Sequence, residues 1–287
     1  MTDEPARPRL HVTLTGFPER YALPARPSTH SLAVQDAYRQ THFLLEGDLA
    51  VFERVMNVQL RIVKENARLR TPEAAALLAF WSRTFALLAD TCTLMHLGSY
   101  VSCPPLLRTA CDCIAAQRSL AADGFAEYRE WLAGAVRQDR DHVALSLDLG
   151  RFRAGSLLAQ DPHLGSTYRL LTDLSMPHFG STALQAAPDT NMQKLALGFA
   201  DSSFHLGLAE LSTGWLLALA EAQTETAAGS SVFAISEPLR AEWAAVAQDV
   251  AAALASTRRC YVEEVDGRFL FHNFRRAASS TPRRVIL

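Results

Sequence analysis

Two polar groupings stand out in a chain of 287 residues that is 49% hydrophobic. The first lies in the stretch Cys103 to Leu120, whose body (Leu106, Leu107, Ala110, Cys111, Cys113, Ile114, Ala115, Ala116) is apolar almost all the way round, interrupted by Arg108, Thr109 and Asp112. Residues four apart on a helix share a face, so the guanidinium and the carboxylate can meet where little water reaches. The second is Tyr168, Leu171, Ser175 and His178, three or four apart, which places a phenol, a hydroxyl and an imidazole along one helical face. Such a face needs polar partners, and Arg108 and Asp112 can supply them. The chemistry these types suit is recognition of a small anionic ligand. Arginine grips paired oxygens directionally, and Tyr168, Ser175 and His178 offer adaptable hydrogen bonds.

A third set is Arg137-Gln138-Asp139-Arg140-Asp141-His142. Its Arg-x4-His spacing resembles the active-site motif of helical RNA-cleaving nucleases of the HEPN class, over this hexapeptide alone. The resemblance implies metal-independent RNA cleavage, with His142 as base and Arg137 steadying phosphate. The structural alternative is a solvated charge run at a helix start. Other enzyme signatures are missing: no Glu-x-x-His of a di-iron bundle, no His-Glu-x-x-His, Gly-x-Ser-x-Gly, P-loop or Gly-x-Gly-x-x-Gly occurs. Cys111 and Cys113, two apart on a helix, point about 160° from each other and cannot readily chelate one ion. They are read as small buried hydrophobes, and no metal or cofactor is expected.

The first two groupings together resemble an uncharacterised bacterial all-helical family, a domain of unknown function. In it a Leu-Arg-Ser/Thr-x-x-acidic helix precedes a Tyr-x-x-Leu-Ser...His-Gly-Ser helix. Leu107-Arg108-Thr109-Ala110-Cys111-Asp112 matches the first part, with aspartate where glutamate is usual. In the second, Thr172 stands where serine follows leucine, and Phe179 is inserted in His178-Phe179-Gly180-Ser181. The resemblance spans roughly residues 46–190 and implies no established reaction.

The elements that must position these residues are helices. Ser102 with Pro104-Pro105 marks the start of the helix carrying Arg108, because proline is tolerated in a first turn and serine caps free amides. Upstream, a helix runs from Ser31 to about Glu46, with a break at Gly47-Asp48. Phe52, Val55, Met56, Leu60 and Val63 form the next amphipathic face. Thr71-Pro72-Glu73 opens a helix whose two apolar stripes make it a candidate for the bundle centre. Downstream, Asp123-Gly124 precedes a helix from Phe125 to about Val136, and Asp139 to Gln160 is helical in part. The Tyr168 helix begins near Ser166 and is stopped by Pro177. Helices follow over Asp201 to Glu221 and from Ser236-Glu237-Pro238, with Thr224 to Ser231 as a loop between them. Tyr261 to Val265 and Arg268 to His272 flank Asp266-Gly267, a strong hairpin signal. Leu10 to Leu14 alternates, and can add a third strand.

These readings give a mainly α fold. Residues 1–30 form a proline-rich extended arm, 31–274 a single helical bundle with a terminal hairpin, and 275–287 a basic tail. Net charge is -2, without the overall positive field of a nucleic-acid binder, so nucleic acid is not the favoured partner. A small anionic ligand, a protein partner or a second copy of the chain fits better. The longest apolar run, Leu206 to Ala220, contains Glu210 and is too short to span a bilayer. Five cysteines and no apolar leader predict a reducing cytoplasm. Three functions are compatible: a binding protein with a polar pocket between helices, a HEPN-type nuclease, and a structural protein whose polar cluster only fixes helix register.

Overall fold

Helix-forming stretches account for most of the described residues. The computed structural model describes residues 16–69, 71–135, 158, 161–177, 193–194, 197–256, 258–274 and 284–286. Helices α1 (Leu32–Leu44), α2 (Glu46–Glu65) and α3 (Pro72–His96) come first. A 3₁₀ turn, Tyr100–Ser102, leads into α4 (Cys103–Ala122), followed by α5 (Ala126–Ala135), α6 (Pro162–Ser175), α7 (Leu206–Ala228) and α8 (Glu237–Leu254). The fold is mainly α with a small β element near the C-terminus, as the patterning predicts. None of the described helices is long and apolar enough to cross a membrane.

The centre of the bundle is α7. It packs against α2, α3, α4, α6 and α8, and of its residues only Glu225 is exposed. A helix this apolar on every side is stable only when surrounded. The expected centre, α3, instead keeps Ser82, Arg83, Asp90 and Thr93 in solvent while burying Leu77, Trp81, Leu88 and Met95. Its two stripes are one broad inward face.

Polar side chains inside this core come in matched sets. The Trp81 indole donates to Gln59 at 2.8 Å, and Gln59 donates to the Ala220 carbonyl at 3.1 Å, joining α3, α2 and α7. Gln117 on α4 and Gln223 on α7 exchange two amide hydrogen bonds, 2.7 and 3.0 Å. Arg259, buried between α8 and the hairpin, donates to the Glu210 and Ala253 carbonyls and pairs with Asp48 at 3.1 Å. A Cβ on Gly214 would come within 3.3 Å of this guanidinium, so the small residue on α7 makes room for it.

Strands β1 (Tyr261–Val265) and β2 (Arg268–His272) pair antiparallel, with Val265 opposite Arg268. Asp266 (φ 50°) and Gly267 (φ 72°) both take the left-handed backbone of a two-residue hairpin turn. The third strand is β3 (Arg284–Ile286), which lays Val285 opposite Phe271. The C-terminal tail thus supplies the strand; residues 10–14 lie outside those described. Buried Phe271 and Phe274 fasten the sheet to the bundle.

Several boundaries differ from the sequence expectation. The α1–α2 break falls at Leu45, buried in the core, and Gly47-Asp48 sits within the first turn of α2. Ser102 does not cap α4 with its side chain. The 3₁₀ turn runs directly into the helix, the Cys103 amide bonding Tyr100, while the Ser102 hydroxyl pairs with Ser99 at 3.2 Å. Phe125 belongs to the turn before α5, at φ 63°, its amide held by Leu120 O. The α6 helix starts at Pro162, capped by Asp161, whose Oδ1 accepts from the Leu164 amide at 2.8 Å. At α7, His205 is the cap and residues 201–205 are non-helical, while the expected loop at 224–228 is helix, with Thr224 and Thr226 bonding back to carbonyls one turn earlier. Of the extended arm, residues 16–30 are non-helical, but Tyr21 is buried and exchanges backbone bonds of 3.0 Å with the Asn57 amide.

Candidate functional site

Helices α4 and α6 run antiparallel: Arg108 meets Tyr168 at one end of their contact, and Arg118 pairs with Asp161 at the other. One residue of each polar grouping, Arg108 and Tyr168, is thereby brought into contact. Arg108 Nη2 donates to the Tyr168 hydroxyl at 3.2 Å, and the guanidinium carbon stands 5.5 Å from the Tyr168 ring centroid. Stacking and hydrogen bonding together suit a planar cation held on an aromatic face.

Asp112 lies one turn along α4, its nearest oxygen 3.9 Å from Arg108 Nη2, beyond hydrogen-bond length. Partial burial raises the Asp112 carboxyl above the usual range, opposed by the Arg108 charge and by a hydrogen bond from Tyr168. Water is not excluded as the sequence suggested. The Arg108 and Asp112 side chains keep 38% and 37% of their surface exposed, because the Tyr168 ring covers a single face of the guanidinium.

Two polar atoms at this junction are buried without a hydrogen-bond partner, Arg108 Nε and Thr172 Oγ1. Thr172 is one turn beyond Tyr168 on α6. Of the remaining predicted residues, Ser175 turns its hydroxyl back onto the Leu171 carbonyl of its own helix. His178 lies outside the described residues, as do Arg137 and His142 of the nuclease motif. The structure thus joins Arg108, Asp112 and Tyr168, and leaves Ser175 engaged with α6.

The cysteines behave as packing. All five are buried and free. Burial pushes the Cys92 and Cys103 thiols up to about 12 and Cys113 to about 11, with Cys111 and Cys260 also raised, so each is protonated at neutral pH and a poor nucleophile. Among the described residues no group of three or more His, Cys, Asp or Glu side chains could hold a metal ion.

A second region was missed in the sequence. Where the C-terminal turn of α3 meets the N-terminal turn of α7, a cavity of about 420 Å³ opens between Gly98–Val101 and Gly198–Ser203, with His205 and Leu208 as walls. The readable signal was His205 itself, directly before Leu206-Gly207-Leu208. The helix begins after His205 and not at the expected Asp201, which leaves residues 201–203 and 205 to form the wall. On the α1–α3 side, Thr41 Oγ1 and His96 Nε2 are also buried without hydrogen-bond partners. His96 Nδ1 contacts the Cys92 carbonyl at 2.7 Å, and burial lowers its pKa.

Compared with protein-family models, with curated proteins and with solved structures, the chain matches none.

Proposed function

We propose that this is a binding protein that takes a small anionic ligand at the α4–α6 junction, with Arg108 as anchor and Tyr168 and Asp112 setting the approach. The observation that carries the reading is the buried Nε of Arg108, which has no hydrogen-bond partner. An unpaired donor on a cation costs more than one on a neutral group, and the carboxylate at 3.9 Å does not relieve it. Nε and the Nη2 that touches Tyr168 share one edge of the planar guanidinium, the edge suited to two oxygens of a carboxylate or phosphate. The exposed third of the Arg108 side chain gives such a ligand its approach.

The test is thermal unfolding of the full chain with inorganic phosphate or succinate against chloride at matched ionic strength. Binding to the native state raises the midpoint by mass action. The midpoint is expected to rise with at least one anion in the parent, to rise less in Tyr168→Phe, and to be unmoved in Arg108→Gln. A rise of equal size in Arg108→Gln, or no rise with either anion, overturns the proposal. The second outcome leaves the polar cluster as a device for helix register.

A further inference from the structure

The cavity between α3 and α7 is built by the backbone. Gly98 ends α3 in the left-handed region (φ 73°), its amide bonding the Met95 carbonyl at 3.1 Å and the next amide bonding Leu94 at 2.9 Å. The loop preceding α7 lies so close that a Cβ on Gly98 would stand 2.2 Å from the Ser202 carbonyl oxygen. Glycine is therefore required at this position twice over, by backbone conformation and by close approach. The two chain segments are locked together at Gly98 and part beside it to leave about 420 Å³, within the size range of small-molecule sites.

One wall carries a specific donor. His205 is 2% exposed, and its Nδ1 accepts from the Leu208 amide at 3.4 Å, capping α7. With Nδ1 as acceptor the ring proton sits on Nε2, and burial pushes the pKa down to about 4, so the imidazole is neutral at pH 7. The Tyr100 hydroxyl accepts from the His205 backbone amide at 3.4 Å, and the Phe274 ring packs against the imidazole with centroids 4.7 Å apart. Among the described residues no hydrogen bond reaches Nε2. His205 lines the cavity, so an acceptor held there can take the Nε2 hydrogen. Around the opening, Val101 and Phe199 present apolar surface to solvent, 46% and 100% exposed.

We infer that this cavity binds a small uncharged molecule with a ring and a carbonyl acceptor, the carbonyl taking the Nε2 hydrogen of His205 and the ring lying against Leu208, Val101 and Phe199. The wall chemistry selects against charge of either sign. Asp201, which accepts from the Ser203 amide at 2.9 Å, opposes an anion. A ring that donates at Nε2 and spends its Nδ1 lone pair on the Leu208 amide has no acceptor for a cation. The site is separate from the α4–α6 junction and does not depend on Arg108.

Four probes with one ring decide it: benzamide, benzoate, benzylamine and toluene, titrated into the full chain labelled with ¹⁵N-histidine. Benzamide is expected to move the Nε2 resonance of His205 and to bind about tenfold more tightly than toluene, the worth of one buried hydrogen bond. In His205→Asn the asparagine can still cap α7, and the preference for benzamide over toluene is expected to vanish. Equal binding of benzamide and toluene, a preference for benzoate or benzylamine, no binding by any probe, or an unchanged preference in His205→Asn each overturns the inference. Should His205→Asn fail to fold, the ranking of the four probes on the parent chain decides alone.

Discussion

The layer around α7 and the α4–α6 junction both place polar side chains against a helical core, and they handle hydrogen bonding differently. Around α7 the matched groups complete one another. Gln117 and Gln223 exchange two bonds, Gln59 links Trp81 to the Ala220 carbonyl, and Arg259 finds two carbonyls and a carboxylate. At the junction Arg108 Nε and Thr172 Oγ1 have no hydrogen-bond partner, and the carboxylate beside the guanidinium stops at 3.9 Å. A completed network rigidifies, whereas an incomplete one costs free energy until something else supplies the bond. The first region holds the molecule together. The second is where a ligand has something to add.

The sharpest way to break this contrast is Arg259→Met. It leaves Asp48 without its buried partner and frees two carbonyls, a loss expected to cost about 3–5 kcal/mol in urea unfolding at neutral pH. A cost below about 1 kcal/mol would mean that the completed layer is not what stabilises the bundle.

Next in size is acid sensitivity at His205. Its folded pKa, about 4, lies below the ordinary 6.5, so between those values the unfolded chain binds a proton that the folded chain does not. Stability therefore falls as pH drops from 6.5 towards 4. This histidine contributes a loss of about 3 kcal/mol from 2.5 pH units at 1.36 kcal/mol each. The His96 shift has the same sign. His205→Asn is expected to flatten the stability–pH slope over that window; an unchanged slope would assign the acid loss elsewhere.

The glutamine pair tests completion itself. Gln117→Leu or Gln223→Leu alone strands one buried amide and is expected to cost about 1–3 kcal/mol, measured by chemical denaturation. The double variant removes both amides, and its cost is expected to fall below the sum of the singles. Strict additivity would show that the two amides are not coupled.

The contrast also explains what could be read in advance. Helix periodicity and caps report local chemistry, so Thr71-Pro72, Ser236-Glu237-Pro238 and Asp266-Gly267 were legible, as was a face on α4 able to meet one on α6. The pairing of Gln117 with Gln223, 106 residues apart, depends on which helices become neighbours, and no local pattern encodes that. The central role of α7 was hidden for the same reason. A helix apolar on all sides announces burial but not which helices surround it. Asp161-Pro162, an aspartate cap followed by a first-turn proline, carries a local start signal for α6 ahead of the expected Ser166. The cavity at Gly98 escaped because it arises from the approach of the Ser202 backbone, which leaves no mark in residue types.

The smallest expected effect bears most directly on the junction. A carboxyl whose folded pKa is raised above its unfolded value binds its proton more tightly in the native state. Stability is then greatest below the ordinary value of 3.8 and declines as pH rises through the raised one. At neutral pH Asp112 is therefore a mild burden, and Asp112→Asn is expected to stabilise the fold slightly, by less than about 1 kcal/mol because the site is open to solvent. The same substitution removes the negative charge facing Arg108, so a ligand anion meets less repulsion and the phosphate- or succinate-induced rise in the unfolding midpoint grows. A loss of stability in Asp112→Asn, measured at pH 7 by urea denaturation, would instead make Asp112 a working partner of Arg108 and move the junction into the same class as the layer around α7.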